Sequence, residues 1–316
     1  MLIFALSLLA VAAIATYLLF FSRSLTIGEG LYQLAMSLER KLAGLVETSV
    51  IIDGTQVSYY KSESFSAHEA QTKKPVLVLL HGFSADKTIW HRFAKLAKHD
   101  FDLIVPDLLG HGKTPYCAKQ SYSTKQQTAM LLKLLKALNI SKCSVAGNSM
   151  GGMIAAQLIE DATERVDKVV LLDPAGAKSE FAVAMTASGM NPFVHATLAQ
   201  FYEFYKVSMS KPPLVPPCVL DYLAVTRYLE RQNQLAHMFS DFFDLGDFFD
   251  KPFVNTNENN TLVIWGDQDQ LLPVKEAEYW SKLTGTKPVI YEGIGHMPMV
   301  EHIQHTYKDC RQFLTI

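Results

Sequence analysis

Three glycine-flanked segments carry side chains that could act together on an acyl carbon. Gly147-Asn148-Ser149-Met150-Gly151 fits the pattern G-x-S-x-G. It follows an apolar β-rich run, Cys143–Ala146, and precedes a helical pattern. A strand-to-helix turn this tight presents the serine hydroxyl at the sheet edge, and small neighbours relieve the crowding. The competing plain reading is a glycine-rich turn with an incidental serine. Downstream, Gly293-Ile294-Gly295-His296-Met297-Pro298 sets a histidine between flexible positions just past the last apolar run, where its imidazole can serve as base to Ser149. Three aspartates lie between them in the chain: Asp173, Asp267 and Asp269. Chain order cannot choose among them. Asp269 is favoured by its place in the loop after the seventh strand, with Asp173 and Asp267 as competitors. His81-Gly82-Phe83 also ends an apolar strand. It is expected to supply an oxyanion hole from the backbone N–H groups of Phe83 and Met150, with His81 holding the loop. In this scheme Ser149 is nucleophile, His296 base and Asp269 orienting acid, and no metal or organic cofactor is required.

The elements that position these residues follow from the apolar pattern. Short apolar runs end in polar or glycine-containing turns at Pro75–Leu80, Asp102–Val105, Cys143–Ala146, Val169–Leu172, Thr261–Trp265 and Pro288–Tyr291. Helical stretches such as Thr124–Leu138 and Met153–Asp161 separate most of them. Continuous apolar strands alternating with helices imply an α/β fold: a mostly parallel sheet with helices on both faces, and its site at the carboxyl ends of the strands. Every candidate residue falls just after one of these runs. The alternation breaks over residues 177–260, which are aromatic-rich, helical in pattern and divided by Lys211-Pro212-Pro213-Leu214-Val215-Pro216-Pro217. This segment is expected to form a helical cap inserted into a core made of residues 48–176 and 261–316. Around Asp53-Gly54 the period-two pattern predicts a hairpin.

The N-terminal stretch Met1–Phe21 has no charged residue, glycine or proline. About 20 apolar residues are enough to span a bilayer core. No basic residue precedes the run, and its A-x-A-like triplets lie inside it, so a retained anchor over residues 1–22 is preferred to a cleaved signal. Arg23, Arg40 and Lys41 follow the span and favour a cytoplasmic catalytic side, against a periplasmic or secreted alternative. Residues 23–47 read as an amphipathic linker helix in which Leu31, Leu34, Leu38, Leu42 and Leu45 form one stripe. That stripe would face either the catalytic domain or a membrane interface. The formal net charge of −2 offers no basic field for a polyanion, so nucleic-acid binding is not expected. The four cysteines, Cys117, Cys143, Cys218 and Cys310, are widely spaced and read as free thiols, without a disulfide framework or metal site.

On these motifs the chain resembles the bacterial lipases and esterases of the α/β-hydrolase superfamily, and is similar to membrane-anchored monoacylglycerol lipases of animals. The likeness runs from about Val50 to Ile316. Besides the segments above it rests on Leu80-His81-Gly82-Phe83-Ser84-Ala85-Asp86-Lys87, Pro106-Asp107-Leu108-Leu109-Gly110-His111-Gly112, and Trp265-Gly266-Asp267-Gln268-Asp269. It implies Ser149, Asp269 and His296 as the triad, Phe83 and Met150 as oxyanion residues, and Asp107 as a structural turn residue. The cap segment from Phe201-Tyr202 to Lys211-Pro212-Pro213 looks like the cold-active lipase branch. One departure is Ala162-Thr163-Glu164, where relatives often carry a proline; it affects a loop.

The aromatic cap, Met150 and Met153 at the elbow, and the apolar N-terminus all favour a lipid ester such as a monoacylglycerol, with medium or long acyl chains. Each buried CH₂ contributes roughly 0.8 kcal/mol. Two alternatives stay open. A C–C bond hydrolase of the same fold would take a diketone acid and need an arginine from among cap residues such as Arg227 or Arg231. A non-catalytic binding protein would keep the fold alone.

Overall fold

The computed structural model describes residues 13–14, 16–17, 22–65 and 74–315. Eight strands form one sheet: β1 (Leu45–Ile52), β2 (Thr55–Ser62), β3 (Val76–Leu80), β4 (Asp102–Pro106), β5 (Cys143–Asn148), β6 (Val166–Leu172), β7 (Thr261–Gly266) and β8 (Val289–Tyr291). Their order is β1-β2-β4-β3-β5-β6-β7-β8. From β4 to β8 every pairing is parallel; β1–β2 and β2–β4 are antiparallel. The expected hairpin forms at Asp53-Gly54, whose φ values of 50° and 81° suit a two-residue turn that matches strand twist.

The sheet is sandwiched, which explains why its central strands read as unbroken apolar runs. Along β3 every side chain is buried. Leu77 and Leu79 join one hydrophobic cluster, with Trp90 and Phe93 of the α2 region (His91–Ala97) and with Cys310 and Leu314 of the C-terminal helix α11 (Ile303–Leu314). Val78 and Leu80 join the other, with Leu131 and Leu134 of α3 (Thr124–Ala137) and Ile154 and Leu158 of α4 (Met150–Asp161). The alternation is that of a strand covered on both faces.

Between β6 and β7 the chain is helical: α5 (Glu180–Ala187), α6 (Leu198–Ser208), α7 (Pro217–Arg227) and α8 (Gln232–Phe242). The proline-rich break ends where Pro217 opens α7, a first-turn position that needs no N–H. After β7 come α9 (Glu276–Thr284) and the short α10 (Pro298–Glu301).

The N-terminal helix α1 spans Leu25–Leu42, capped by the Ser24 hydroxyl. It packs through Gly28 and Tyr32 onto α7, so closely that a Cβ on Gly28 would meet the Cys218 carbonyl oxygen at 2.0 Å. The leucine stripe is therefore not the packed face: Leu34, Leu38 and Leu42 are 67%, 56% and 47% exposed. Leu45, grouped with that stripe in sequence, instead opens β1, because the helix ends at Leu42 and the chain turns at Gly44. Among the described residues no helix is long and apolar enough to cross a membrane. The expected anchor over residues 1–22 lies almost entirely outside the described residues.

Candidate active site

The sharp turn after β5 holds Ser149 at φ 56° and ψ −118°, a backbone state that L-residues adopt only when their surroundings enforce it. Those surroundings are visible. The Ser149 N–H donates to the Leu172 carbonyl at 2.9 Å, and its own carbonyl accepts from Gly152 (2.9 Å), Met153 (3.1 Å) and Ala175 (3.1 Å). Both pattern glycines are demanded by crowding, since a Cβ on Gly147 would lie 2.1 Å from the Gly151 carbonyl oxygen and one on Gly151 2.4 Å from that of Leu80. The helix after the serine starts at Met150, a turn earlier than its apolar pattern indicates, which puts the serine at the positive end of α4.

His296 lies in the loop between β8 and α10, buried, with Nδ1 2.6 Å from Asp269 Oδ2. Asp269 Oδ1 accepts from the N–H groups of Leu271 (2.8 Å) and Leu272 (2.9 Å), which fix the carboxylate in its loop. Ser149 and His296 line the same cavity. Of the competing aspartates, Asp267 accepts from the Gly293 N–H at 2.7 Å and so braces the histidine loop. Asp173 is fully buried, with one oxygen accepting from the Gly266 N–H at 2.9 Å. Burial, then the neighbouring Asp269, push its carboxyl well above the usual carboxylate range. Its Oδ2 has no hydrogen-bond partner among the described residues, which disfavours the ionised form.

The loop after β3 brings Gly82 against the elbow: a Cβ there would lie 3.3 Å from the Ser149 Cβ. Among the described residues the N–H groups of Phe83 and Met150 have no protein acceptor. His81 accepts from the Leu108 N–H through Nε2 (3.0 Å), so its Nδ1 carries the proton and donates to the Gly82 carbonyl at 2.8 Å. Burial lowers its pKa, in keeping with a neutral ring that ties two loops together. Asp107, expected as a turn residue, accepts from the N–H groups of Lys87 and Lys113, both at 2.9 Å, and pairs with the buried Lys87 ammonium.

Two positioning groups were not evident in sequence. Asn148 donates through Nδ2 to the carbonyls of His296 (2.9 Å) and Leu172 (3.1 Å), linking the serine turn directly to the histidine loop. Glu301 accepts from the backbone N–H groups of Gly295 and Met297, both at 3.1 Å, and of Lys211 in the cap at 2.8 Å. A carboxylate shortly after a glycine–histidine loop is the only linear signal for the second. The first has no signal, because its partner lies 148 positions away.

The cavity at Ser149 is about 180 Å³. Phe83, Phe193, Phe201, Phe204, Leu223 and Tyr228 supply much of its wall. Of the cap aromatics, Phe193, Phe201, Phe204, Tyr205 and Tyr228 line the cavity, whereas Phe242, Phe243 and Phe248 pack in the core without lining it.

The fold and these loops match a known group. Residues 75–232 match the family profile described as alpha/beta hydrolase fold. Lipase 1 of Psychrobacter immobilis is 30% identical over 246 residues, covering 76% of this chain and 77% of its own. The Xenopus laevis protein named monoacylglycerol lipase abhd6-B is 27% identical over 283 residues, covering 83% of each chain. Among solved structures, one titled as a membrane phospholipase A, a bacterial virulence factor, is similar with TM-score 0.80 and 29% identity, covering 100% of this chain and 98% of its own. The chain belongs to the α/β-hydrolase fold family. Within it, this protein is a carboxylic ester hydrolase of the lipase type.

Proposed function

We propose that the protein cleaves lipid esters, monoacylglycerols among them, through an acyl-enzyme on Ser149. The observation that carries this reading is the buried His296–Asp269 pair at 2.6 Å on the same cavity as a backbone-strained serine. His296 Nε2 takes the Ser149 proton as Oγ attacks the acyl carbon, while Asp269 fixes the tautomer and balances the imidazolium. The N–H groups of Phe83 and Met150, free of protein acceptors among the described residues, receive the oxyanion; one such donor is typically worth about 10²–10³ in rate. The same imidazole protonates the departing alcohol and then activates the water that releases the acid.

The aromatic wall of the cavity supports an acyl chain as the buried part of the substrate. The uncharged run Met1–Phe21 and the exposed leucines of α1 support attachment at a membrane, the helix lying with Leu34, Leu38 and Leu42 toward lipid and the catalytic domain on the cytoplasmic side. A diketone-acid hydrolase is less well supported: Arg227, the arginine on the cavity wall, is already paired with Asp86 at 2.6 Å.

The test is labelling by a fluorophosphonate probe, wild type against Ser149→Ala, with hydrolysis of p-nitrophenyl esters from C4 to C12 and of a monoacylglycerol series. The wild type should label and the variant should not, with kcat lower by about 10⁶, and activity should rise with chain length. A wild type that resists the probe would overturn the serine mechanism. Labelling without turnover of any glycerol ester would overturn the substrate class.

A further inference from the structure

The cavity at Ser149 shares Ser84, Ala85 and Arg227 as walls with a second cavity of about 580 Å³. That one lies between α1, the β1–β2 hairpin and the cap, and is lined by charged side chains such as Arg40, Glu47, Lys87 and Lys113. The shared wall continues the oxyanion loop. Gly82-Phe83-Ser84-Ala85 is a turn closed by the Ala85 N–H on the Gly82 carbonyl at 3.3 Å, with Ser84 in third place at φ 59°. That place suits glycine, and a serine stays there only where its surroundings enforce it.

The enforcement comes from the cap. Ser84 Oγ and the Tyr228 hydroxyl are hydrogen-bonded at 3.0 Å, and both residues are buried. Each oxygen has the other as its sole hydrogen-bond partner among the described residues. Tyr228 directly follows α7, and its ring is held among Phe201, His195 and Phe204, with centroids 5.1, 5.2 and 5.7 Å away. Beside it, Arg227 pairs with Asp86 at 2.6 Å, just past the turn. The Phe83 ring in turn lies against Phe193 (4.8 Å) and Phe239 (5.6 Å). The cap thus grips this segment at Phe83, Ser84 and Asp86. An oxyanion donor acts only within about 2.7–3.1 Å of the developing charge. The Phe83 N–H lies in the first peptide of the turn, so its direction follows the turn's conformation.

We propose that Tyr228 is a positioning residue: through Ser84 its hydroxyl holds the turn that aims the Phe83 N–H at the oxyanion. The cap then sets the rate of the chemical step as well as walling the acyl site. This rests on the Ser149 mechanism above.

The experiment compares wild type, Tyr228→Phe, Ser84→Ala, Ser84→Gly and the double variant Tyr228→Phe with Ser84→Ala. Each hydrolyses p-nitrophenyl butyrate, with rates expressed per site titrated by a fluorophosphonate, so that misfolded protein does not count. A short alkyl trifluoromethyl ketone gives the second readout. Ser149 Oγ adds to its carbonyl carbon, the proton passes to His296, and the new oxyanion occupies the hole. Tyr228→Phe and Ser84→Ala should each lower kcat about tenfold, a fraction of the roughly 10²–10³ that a whole donor is worth. The ketone's Ki should rise by the same factor. KM should stay within about twofold, because the remaining ring keeps the cavity wall and both acylation and deacylation slow together. The double variant should lose no more than either single one, since all three lack the same bond. Ser84→Gly, free to take the positive φ but without the hydroxyl, should lose rate as Ser84→Ala does. A Ser84→Gly enzyme as fast as wild type would mean that backbone conformation alone aims Phe83, and would overturn the inference. Unchanged kcat and Ki in Tyr228→Phe, a rise in KM alone, or losses that multiply in the double variant would overturn it too. A wild type that neither labels nor binds the ketone overturns the serine mechanism with it.

Discussion

The two cavities share a wall and differ in almost everything else. The one at Ser149 is built from loops at the carboxyl ends of β3, β5, β7 and β8 and closed by cap aromatics. The other is built from charged side chains of α1, the hairpin, the loops after β3 and β4, and the cap. The comparison teaches that one fold edge can keep an aromatic-walled cavity beside one lined by charged side chains. What separates them is a single well-paired arginine, Arg227 on Asp86, flanked by the small residues Ser84 and Ala85.

Breaking the reactive side of that comparison has the largest expected effect. His296→Ala should lower kcat by about 10⁶ on a short p-nitrophenyl ester with the melting transition little changed; a loss under a hundredfold would remove His296 as base. Narrowing the aromatic-walled cavity comes next. Leu223→Trp fills its wall, so kcat/KM for a C12 ester should fall by on the order of 100-fold relative to C4, the worth of about four CH₂ groups. A uniform loss across chain lengths would mean the acyl chain lies elsewhere.

The smallest effects concern Asp173. Replacing it by Leu leaves the buried Gly266 N–H without its acceptor, an expected loss of stability of about 1–3 kcal/mol with kcat changed by less than about tenfold. Asp173→Asn, which still accepts from the Gly266 N–H, should keep most activity and leave the pH–rate profile in place. The pH dependence of stability supplies a second readout. A carboxyl whose folded pKa is raised binds a proton in the native state that the unfolded chain has released, so its contribution declines as pH rises above about 3.9, the unfolded value, until the folded pKa is reached. The Asn variant lacks that decline. Its Tm advantage over wild type should therefore grow from pH 4 to pH 8, and a constant difference would mean Asp173 is ionised in the fold.

The comparison also divides what could be read in advance. The residues of the aromatic-walled cavity's floor stand directly after apolar runs, and in a parallel sheet such positions converge at one edge, so the runs alone bring Ser149, Asp269 and His296 near each other. Chain order leaves Asp173, Asp267 and Asp269 equivalent; only hydrogen-bond geometry distinguishes the carboxylate on His296 from the one on Gly293 and the one on Gly266. The stripe on α1 illustrates a different limit. Both faces of that helix carry apolar residues, and a leucine row predicts the buried face less well than Gly28, whose missing side chain lets the helix touch α7.

Taken alone, the order of residues determined the strand–helix alternation, the helical insertion between β6 and β7, and the loops that hold Ser149, Asp269 and His296, because these depend on local periodicity and on a few residue types at turns. Tertiary structure alone decided which aspartate meets His296 and that Asn148 and Glu301 clamp its loop. It also decided that Ser84 and Tyr228, 144 positions apart in the chain, meet beside the oxyanion loop. Such pairings join segments that no local pattern connects, and only the packing of helices and sheet sets the distances between them.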